Sequence, residues 1–214
     1  MTIPTRNAVP FALIGLAGLL APHVAPSFVI QLALLWMMVL FALSWDLGGG
    51  QMGYNSFGNI LFFGIGCYVA VVVQRELFFA IEEYKSVTGE APRALTSLEY
   101  FSGFALGSVL SAVIGVAVAA VLGSGILGLR GHYFAICTLG VGVAAGEIAS
   151  GWEYVGAGSG LVAPIYPGEA DERGIFFYYL LFFLTVACFL TLRWLYSGRF
   201  GLAINTIRDD EDKA

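Results

Sequence analysis

The sequence predicts an all-α, polytopic integral membrane protein with about six transmembrane helices. Of its 214 residues, 58% are hydrophobic and 12% are charged, and the mean hydropathy is +0.83. That is about half the charged share of an ordinary soluble domain. Four stretches contain no Asp, Glu, Lys or Arg, namely 11–45, 47–74, 101–129 and 174–192. Each is long enough to cross the ~30 Å hydrocarbon core, which needs roughly 20 helical residues.

Hydropathy places the predicted spans at 8–22, 28–47, 55–73, 101–127, 133–149 and 174–195. The first span is short and follows Arg6, so it resembles a secretory signal. Pro22 and His23 stand where small residues would mark a cleavage site, and we therefore expect this span to be retained.

The distribution of basic residues predicts that both termini are cytoplasmic, because Lys and Arg accumulate on that side of a membrane. Six spans place six basic residues on the side of the termini and four on the other side. The six are Arg6, Arg130, Arg193, Arg199, Arg208 and Lys213, and the four are Arg75, Lys85, Arg93 and Arg173. Segments 74–100 and 150–173 are then external.

Small residues recur at every fourth position of the fourth predicted span. They are Gly103, Gly107, Ser111, Gly115, Ala119 and Gly123, and Gly142, Gly146 and Ser150 repeat the pattern in the fifth span. Residues four apart lie on one helical face, where small side chains allow a second backbone to approach closely. We interpret both stripes mainly as helix-packing surfaces. Gly107→Leu and Gly115→Leu would then overpack the contact between helices. The alternative is that the stripes let helices slide during transport.

The stretch "GYNSFGNILFFGIGCY", residues 53–68, is too rich in glycine and polar residues for a simple membrane anchor. Its glycines permit close approach or a break in the backbone, and its Asn and Ser side chains can bond the freed amides. The residues that we assign to helix packing or a translocation path here are Gly53, Ser56, Gly58, Asn59, Gly64 and Gly66.

Glu147 is the acidic residue that the predicted spans place at membrane depth. Intramembrane carboxylates are functional candidates because burying them is costly, although this one is close enough to the end of its span to reach water. It is the titrating group of the alternative hypothesis, an ion-coupled secondary transporter or channel. Asp46, which precedes three glycines, is interpreted as a turn residue.

The sequence gives no reason to expect an enzyme. His23 and His132 are far apart, and neither a catalytic triad nor a metal-ligand spacing is present. "GSGILG" at 123–128 matches a dinucleotide fingerprint but ends a membrane span, and no phosphate-binding G-x-x-x-x-G-K motif exists. We predict no catalytic site, no metal, no cofactor and no nucleic-acid partner.

The tail "SGRFGLAINTIRDDEDKA", 197–214, predicts a short amphipathic helix. Phe200, Ala203, Ile204 and Ile207 recur at helical spacing, with Gly201 expected at the turn into the helix. The acidic cluster at 209–212 would be repelled by anionic lipid, so a protein groove is a better receptor than the membrane surface.

Several motifs together resemble the LivM-type permease subunits of branched-chain amino-acid ABC transporters. Residues 53–68 resemble the family's G-Y-x-S-[FL]-G-H-A-x-F-F-G-I-G-A-Y, with Asn59 in place of its histidine. "GLRGHYFAICTLG" at 128–140, "GAGSGL" at 156–161 and the tail resemble its later motifs in the same order.

The resemblance implies a permease subunit of a prokaryotic inner-membrane importer for branched-chain amino acids or a related small polar solute. Its partners would be a second permease subunit, two cytoplasmic ATPases and an external substrate-binding protein. Residues 1–195 would form the transmembrane domain, and 196–214 would begin a coupling segment that is cut short relative to the family pattern. The implied ATPase-coupling residues are Arg199, Phe200, Gly201, Ala203, Ile204, Ile207, Arg208 and Glu211.

Overall fold

A computed structural model describes residues 5–78, 96–129 and 131–209. All regular structure in these ranges is helical, as predicted. The α-helices are α1 (Thr5–Val24), α2 (Val29–Trp45), α3 (Asn59–Phe78), α4 (Ser97–Ile126), α5 (His132–Gly151), α6 (Ala170–Ser197) and α7 (Arg199–Asp209). A π-helical segment, Asp46–Gln51, continues α2, and short 3-10 helices occupy Pro26–Phe28, Glu153–Val155 and Ala157–Ser159.

Five of the six predicted spans are long and apolar enough to cross a membrane. They are Pro26–Gln51, Asn59–Phe78, Ser97–Ile126, His132–Gly151 and Ala170–Ser197. The first predicted span is a shorter apolar helix, Pro10–Val24. The helical segments confirm an all-α polytopic membrane protein, and they extend beyond most of the predicted bounds because polar residues continue several helices past the apolar core.

The described residues form two compact units, which we describe separately. Unit 1 comprises the described parts of Met1–Gly53 and Gly168–Ala214, and unit 2 is formed by the described part of Tyr54–Pro167. Helices α1, α2, α6 and α7 therefore belong to unit 1, whereas α3, α4 and α5 belong to unit 2.

Unit 1 is built around the packing of α2 against α6. Its buried core consists of Val29, Ala33, Tyr178 and Phe182. Hydroxyl groups of α6 tie the neighbouring helices to this core. The Tyr178 hydroxyl donates to the Gly18 carbonyl oxygen of α1 at 2.6 Å, and the Thr185 hydroxyl donates to the Trp36 carbonyl oxygen of α2 at 3.3 Å.

Unit 2 is dominated by the packing of α3 against α4. The Ser111 hydroxyl of α4 donates to the Gly66 carbonyl oxygen of α3 at 3.0 Å. At the far end of α3, the Arg75 guanidinium lies 5.0 Å from the centre of the Tyr154 ring and donates to the Tyr154 carbonyl oxygen. The end of α3 and the segment after α5 therefore lie at the same end of the unit, as the predicted alternation of spans requires.

Many large apolar side chains of the spans are exposed on the chain itself. Val116 of α4 is 71% exposed and Trp194 of α6 is 74% exposed. A soluble domain rarely exposes a contiguous apolar surface of this kind, but a bilayer or a neighbouring subunit covers it without cost. The fold is that of a multi-pass membrane protein.

Candidate functional site

The chain of unit 2 enters α3 through a short non-helical segment. The predicted span begins at residue 55, whereas the helix begins at Asn59. The Phe57 amide donates to the Thr138 hydroxyl of α5 at 3.1 Å, and the Gly58 amide donates to the Ser56 hydroxyl at 3.2 Å. These bonds satisfy two of the amides that no helical carbonyl reaches. The glycine-rich stretch is thus a break in helical structure that is held onto α5.

The residues of this stretch differ in what they contact. Gly53 has a φ of +77°, a backbone conformation that favours glycine. Gly58 is buried, and a Cβ there would be in ordinary contact with Thr138. The Nδ2 atom of Asn59 is buried and finds no hydrogen-bond partner among the described residues. Gly64 and Gly66 have no neighbour within 4 Å of a built Cβ, so close packing does not explain them within the described chain.

The small-residue stripe of α4 is divided into a packed half and an open half. A Cβ at Gly107 would lie 3.0 Å from the carbonyl oxygen and 3.1 Å from the Cα of Ala70, so backbone faces backbone there. A Cβ at Gly115 would meet nothing within 4 Å. The expected overpacking at Gly115 therefore finds no neighbour in the described chain.

Two apolar cavities lie within unit 2. One of about 460 Å³ lies between α3, α4 and α5, and its lining includes Gly64, Gly142 and Gly146. A smaller one of about 120 Å³ lies at the break before α3, where Ser56 and Thr138 contribute its polar lining. Gly64 and Gly146 border open volume, whereas a Cβ at Gly142 would lie 3.1 Å from Ile60 Cγ2.

Glu147 is exposed and makes no hydrogen bond or ion pair with the described residues. It lies four residues before the end of α5, which corresponds to about 6 Å along the helix axis. Its neighbours Gly146 and Ile148 line the larger cavity, whereas Glu147 does not. This position agrees with a carboxylate that reaches the membrane surface.

Helix α7 presents its predicted apolar residues in two different directions. Ile204 is 2% exposed and packs within unit 1, where α7 contacts the end of α6 and the π-helical segment. Phe200 is 51% exposed, and Ala203 is exposed as well. Ile204 therefore belongs to an inner face that is already covered. The side chains of Ile207 and Arg208, and the whole of Glu211, lie outside the described residues.

The start of α7 is also fixed by a close backbone contact. The turn between α6 and α7 is at Gly198, and α7 begins at the exposed Arg199. Gly201 lies in the first turn of the helix, not in the turn that precedes it as predicted. A Cβ at Gly201 would overlap the carbonyl oxygen of Tyr196, so glycine is required for α7 to fold back onto the end of α6.

A family model described as branched-chain amino acid transport system / permease component matches residues 11–214 of the chain. The chain belongs to this family. The match extends from α1 through the tail and therefore includes every predicted site residue. Comparisons with curated proteins and with solved structures return no match.

The permease distributes its predicted site residues between its two units. Ser56, Gly58, Asn59, Gly64, Gly66, Gly107, Gly115 and Glu147 are in unit 2, whereas Gly53 and the described coupling residues are in unit 1. Within unit 2, the break before α3 and the stripe of α4 both line the smaller cavity, through Ser56, Gly58, Ala119 and Gly123.

Two features of the permease were not predicted from the sequence. Thr138 is buried and accepts the hydrogen bond of the Phe57 amide, although it lies 81 residues away along the chain. Its local signals are its place in the motif "GLRGHYFAICTLG" and its position four residues before Gly142, on the small-residue face of α5. Asp46 is not a turn residue as predicted, because α2 continues through it as a π-helix.

Proposed function

We propose that this permease is a subunit of an ATP-binding-cassette importer that carries branched-chain amino acids or a related small polar solute across a prokaryotic inner membrane. Family membership supports the transport role, and the geometry of α7 supports the coupling to an ATPase. No covalent chemistry is required of the permease itself.

The observation that carries the proposal is the pair of faces on α7. Its inner face, with Gly201 and Ile204, is held against the membrane helices of unit 1. Its outer face exposes Phe200 and Ala203, and Arg199 is exposed beside them. An amphipathic helix that is anchored on one side and exposes an aromatic side chain on the other suits insertion into a groove of a partner protein.

In this mechanism the ATPases move α7 when they close, and the attached helices of the permease rearrange. Substrate arrives from an external binding protein and passes along a path formed with a second permease subunit. Alternating access of this kind needs helices that shift relative to one another. We assign the break before α3 to the translocation path, because non-helical backbone in a membrane protein is found where protein covers it or water reaches it.

Co-purification with the ATPase encoded by a neighbouring gene tests the proposal, using Phe200→Ala as the variant. Truncation of a buried aromatic anchor at an interface costs about 2 kcal/mol or more, which weakens binding roughly 30-fold. Phe28→Ala is the matched control, since Phe28 is 59% exposed at the opposite end of α2. We expect Phe200→Ala to lose the ATPase and Phe28→Ala to retain it. Equal retention by both variants would contradict the proposed docking face.

A further inference from the structure

The π-helical segment Asp46–Gln51 lies at the junction between α2 and the coupling helix α7. It joins α2 without a break, and α7 packs against it within unit 1. A π-helix has i→i+5 hydrogen bonds and is found mostly as short segments at functional sites. We therefore expect this segment to have a role other than helix packing.

A side-chain hydrogen bond spans the π-helical turn. The Gln51 amide nitrogen Nε2 donates to Asp46 Oδ2 at 3.1 Å. In an α-helix, residues five apart are separated by about 140° around the axis and do not face each other. The Asp46–Gln51 bond thus fits the i→i+5 register and would be broken in the i→i+4 register.

The three glycines inside the segment, Gly48, Gly49 and Gly50, leave room for this arrangement. A Cβ at Gly49 would lie 2.6 Å from Cζ2 of the Trp45 ring, and a Cβ at Gly50 would overlap the Asp46 carboxylate. Because glycine has no Cβ, a change between the π and α registers meets few steric clashes at these positions. The Asp46–Gln51 bond therefore adds to the backbone bonds that hold the segment in the π register.

Helix α7 packs against the π-helical segment and the end of α6. Its inner residue Ile204 is buried, and its first turn touches the backbone of Tyr196 at Gly201. The Tyr196 hydroxyl is buried without a hydrogen-bond partner among the described residues. Because α7 also packs against the segment itself, a movement of α7 changes the surroundings of the π-helical turn.

We propose that Asp46–Gln51 is a register switch that links α7 to the membrane helix α2. The Asp46–Gln51 bond holds the π register while α7 is seated on the segment, and displacement of α7 releases the segment to the α register. The inference rests on the proposed function, because it assumes that an ATPase is what displaces α7.

Hydrogen exchange of the purified full chain tests whether the two segments move together. We expect Asp46→Ala and Gln51→Ala each to speed amide exchange about fivefold or more in both 46–53 and 199–209, a factor typical of coupled sites. Because coupling is reciprocal, Ile204→Ala should speed exchange in 46–53. Asp46→Asn, which keeps the acceptor oxygen, and Ser44→Ala, two residues earlier in α2, should leave amide exchange in both segments unchanged.

Unchanged exchange of 199–209 in both Asp46→Ala and Gln51→Ala would overturn the switch. This measurement involves no ATPase, so its outcome is separate from that of the co-purification test of the proposed function. In the assembled transporter, Asp46→Ala should keep the ATPase bound but lower the uptake per ATP hydrolysed about fivefold. Asp46→Asn should give an uptake per ATP close to that of the unsubstituted protein. Uptake per ATP that is unaffected by Asp46→Ala would also overturn the switch.

Discussion

At the scale of single residues, identical side chains on one helical face have different neighbours. Gly107 and Gly115 lie two turns apart on α4, yet only Gly107 faces the backbone of α3. Two apolar residues of α7 that are four positions apart also differ, because Ile204 is buried and Phe200 is half exposed. Spacing assigns residues to a face, and the neighbouring helix decides which part of that face is used.

We expect Gly107→Leu to reduce the yield of folded protein, whereas Gly115→Leu serves as its control. Overpacking a tight helix contact costs about 1–3 kcal/mol, and backbone atoms of Ala70 leave no room for a rotamer change. Size-exclusion profiles and thermal unfolding of the purified variants would show the difference. Equal yields and unfolding temperatures for the two variants would contradict the packing that we describe.

We expect Glu147→Gln to leave ATP-driven uptake largely intact. The carboxylate is exposed near the end of α5 and has no ionic partner among the described residues, so replacing it by an amide removes no contact of the described chain. Uptake by vesicles that contain equal amounts of each protein is the measurement. Uptake that is abolished at normal expression, and that proceeds without ATPase, would support the ion-coupled alternative.

At the scale of secondary-structure elements, α7 has one face packed on unit 1 and another face exposed. Its inner face holds it on α6 and on the π-helical segment, while its outer face is available to a partner. Helix α7 is short, and an isolated helix of this length would be marginal in water. Tertiary packing of the inner face therefore stabilises the helix that we propose as the docking site of the ATPase.

We expect Ile204→Ala to lower the stability of the permease, whereas Phe200→Ala does not. Truncating a buried isoleucine costs about 2–5 kcal/mol, while an exposed phenylalanine contributes little to the isolated chain. Thermal unfolding in one detergent compares the two variants directly. A lower unfolding temperature for Phe200→Ala than for Ile204→Ala would show that the two faces are assigned the wrong way round.

At the scale of the whole molecule, segments that are predicted to lie on the same side of the membrane are found at the same end of each unit. In unit 2, the Arg75–Tyr154 contact and the packing of the Tyr100 and Tyr166 rings, with centres 5.5 Å apart, bring both predicted external segments to one end. In unit 1, the end of α2 meets α7. The side of the membrane that each end faces remains the prediction made from the basic residues.

We expect a cysteine at position 165 to react with a membrane-impermeant maleimide in intact cells, and a cysteine at position 205 to react only after the cells are opened. Ile165 is 68% exposed in the predicted external segment, so Ile165→Cys is the accessible control. The three native cysteines are first replaced by alanine. Labelling of Asn205→Cys in intact cells would contradict cytoplasmic termini.

Local sequence patterns were sufficient to predict the helices of this protein and the family to which it belongs. Charge-free stretches predict membrane helices because each span is fixed by local hydropathy and by the thickness of the bilayer. The glycine-rich stretch predicts the break before α3, since glycine and serine there leave amides to be satisfied by neighbouring groups. The helical spacing of the tail likewise predicts α7.

Which residues contact one another follows from the packing of the helices and could not be predicted from local patterns. The bond from Phe57 to Thr138, the burial of Ile204 and the open space at Gly115 all depend on neighbours that are distant in sequence. The π register at Asp46 depends on a bond to Gln51 and on the helix that packs there. Local patterns record polarity and spacing, but the contact that gives a residue its role is made by another element.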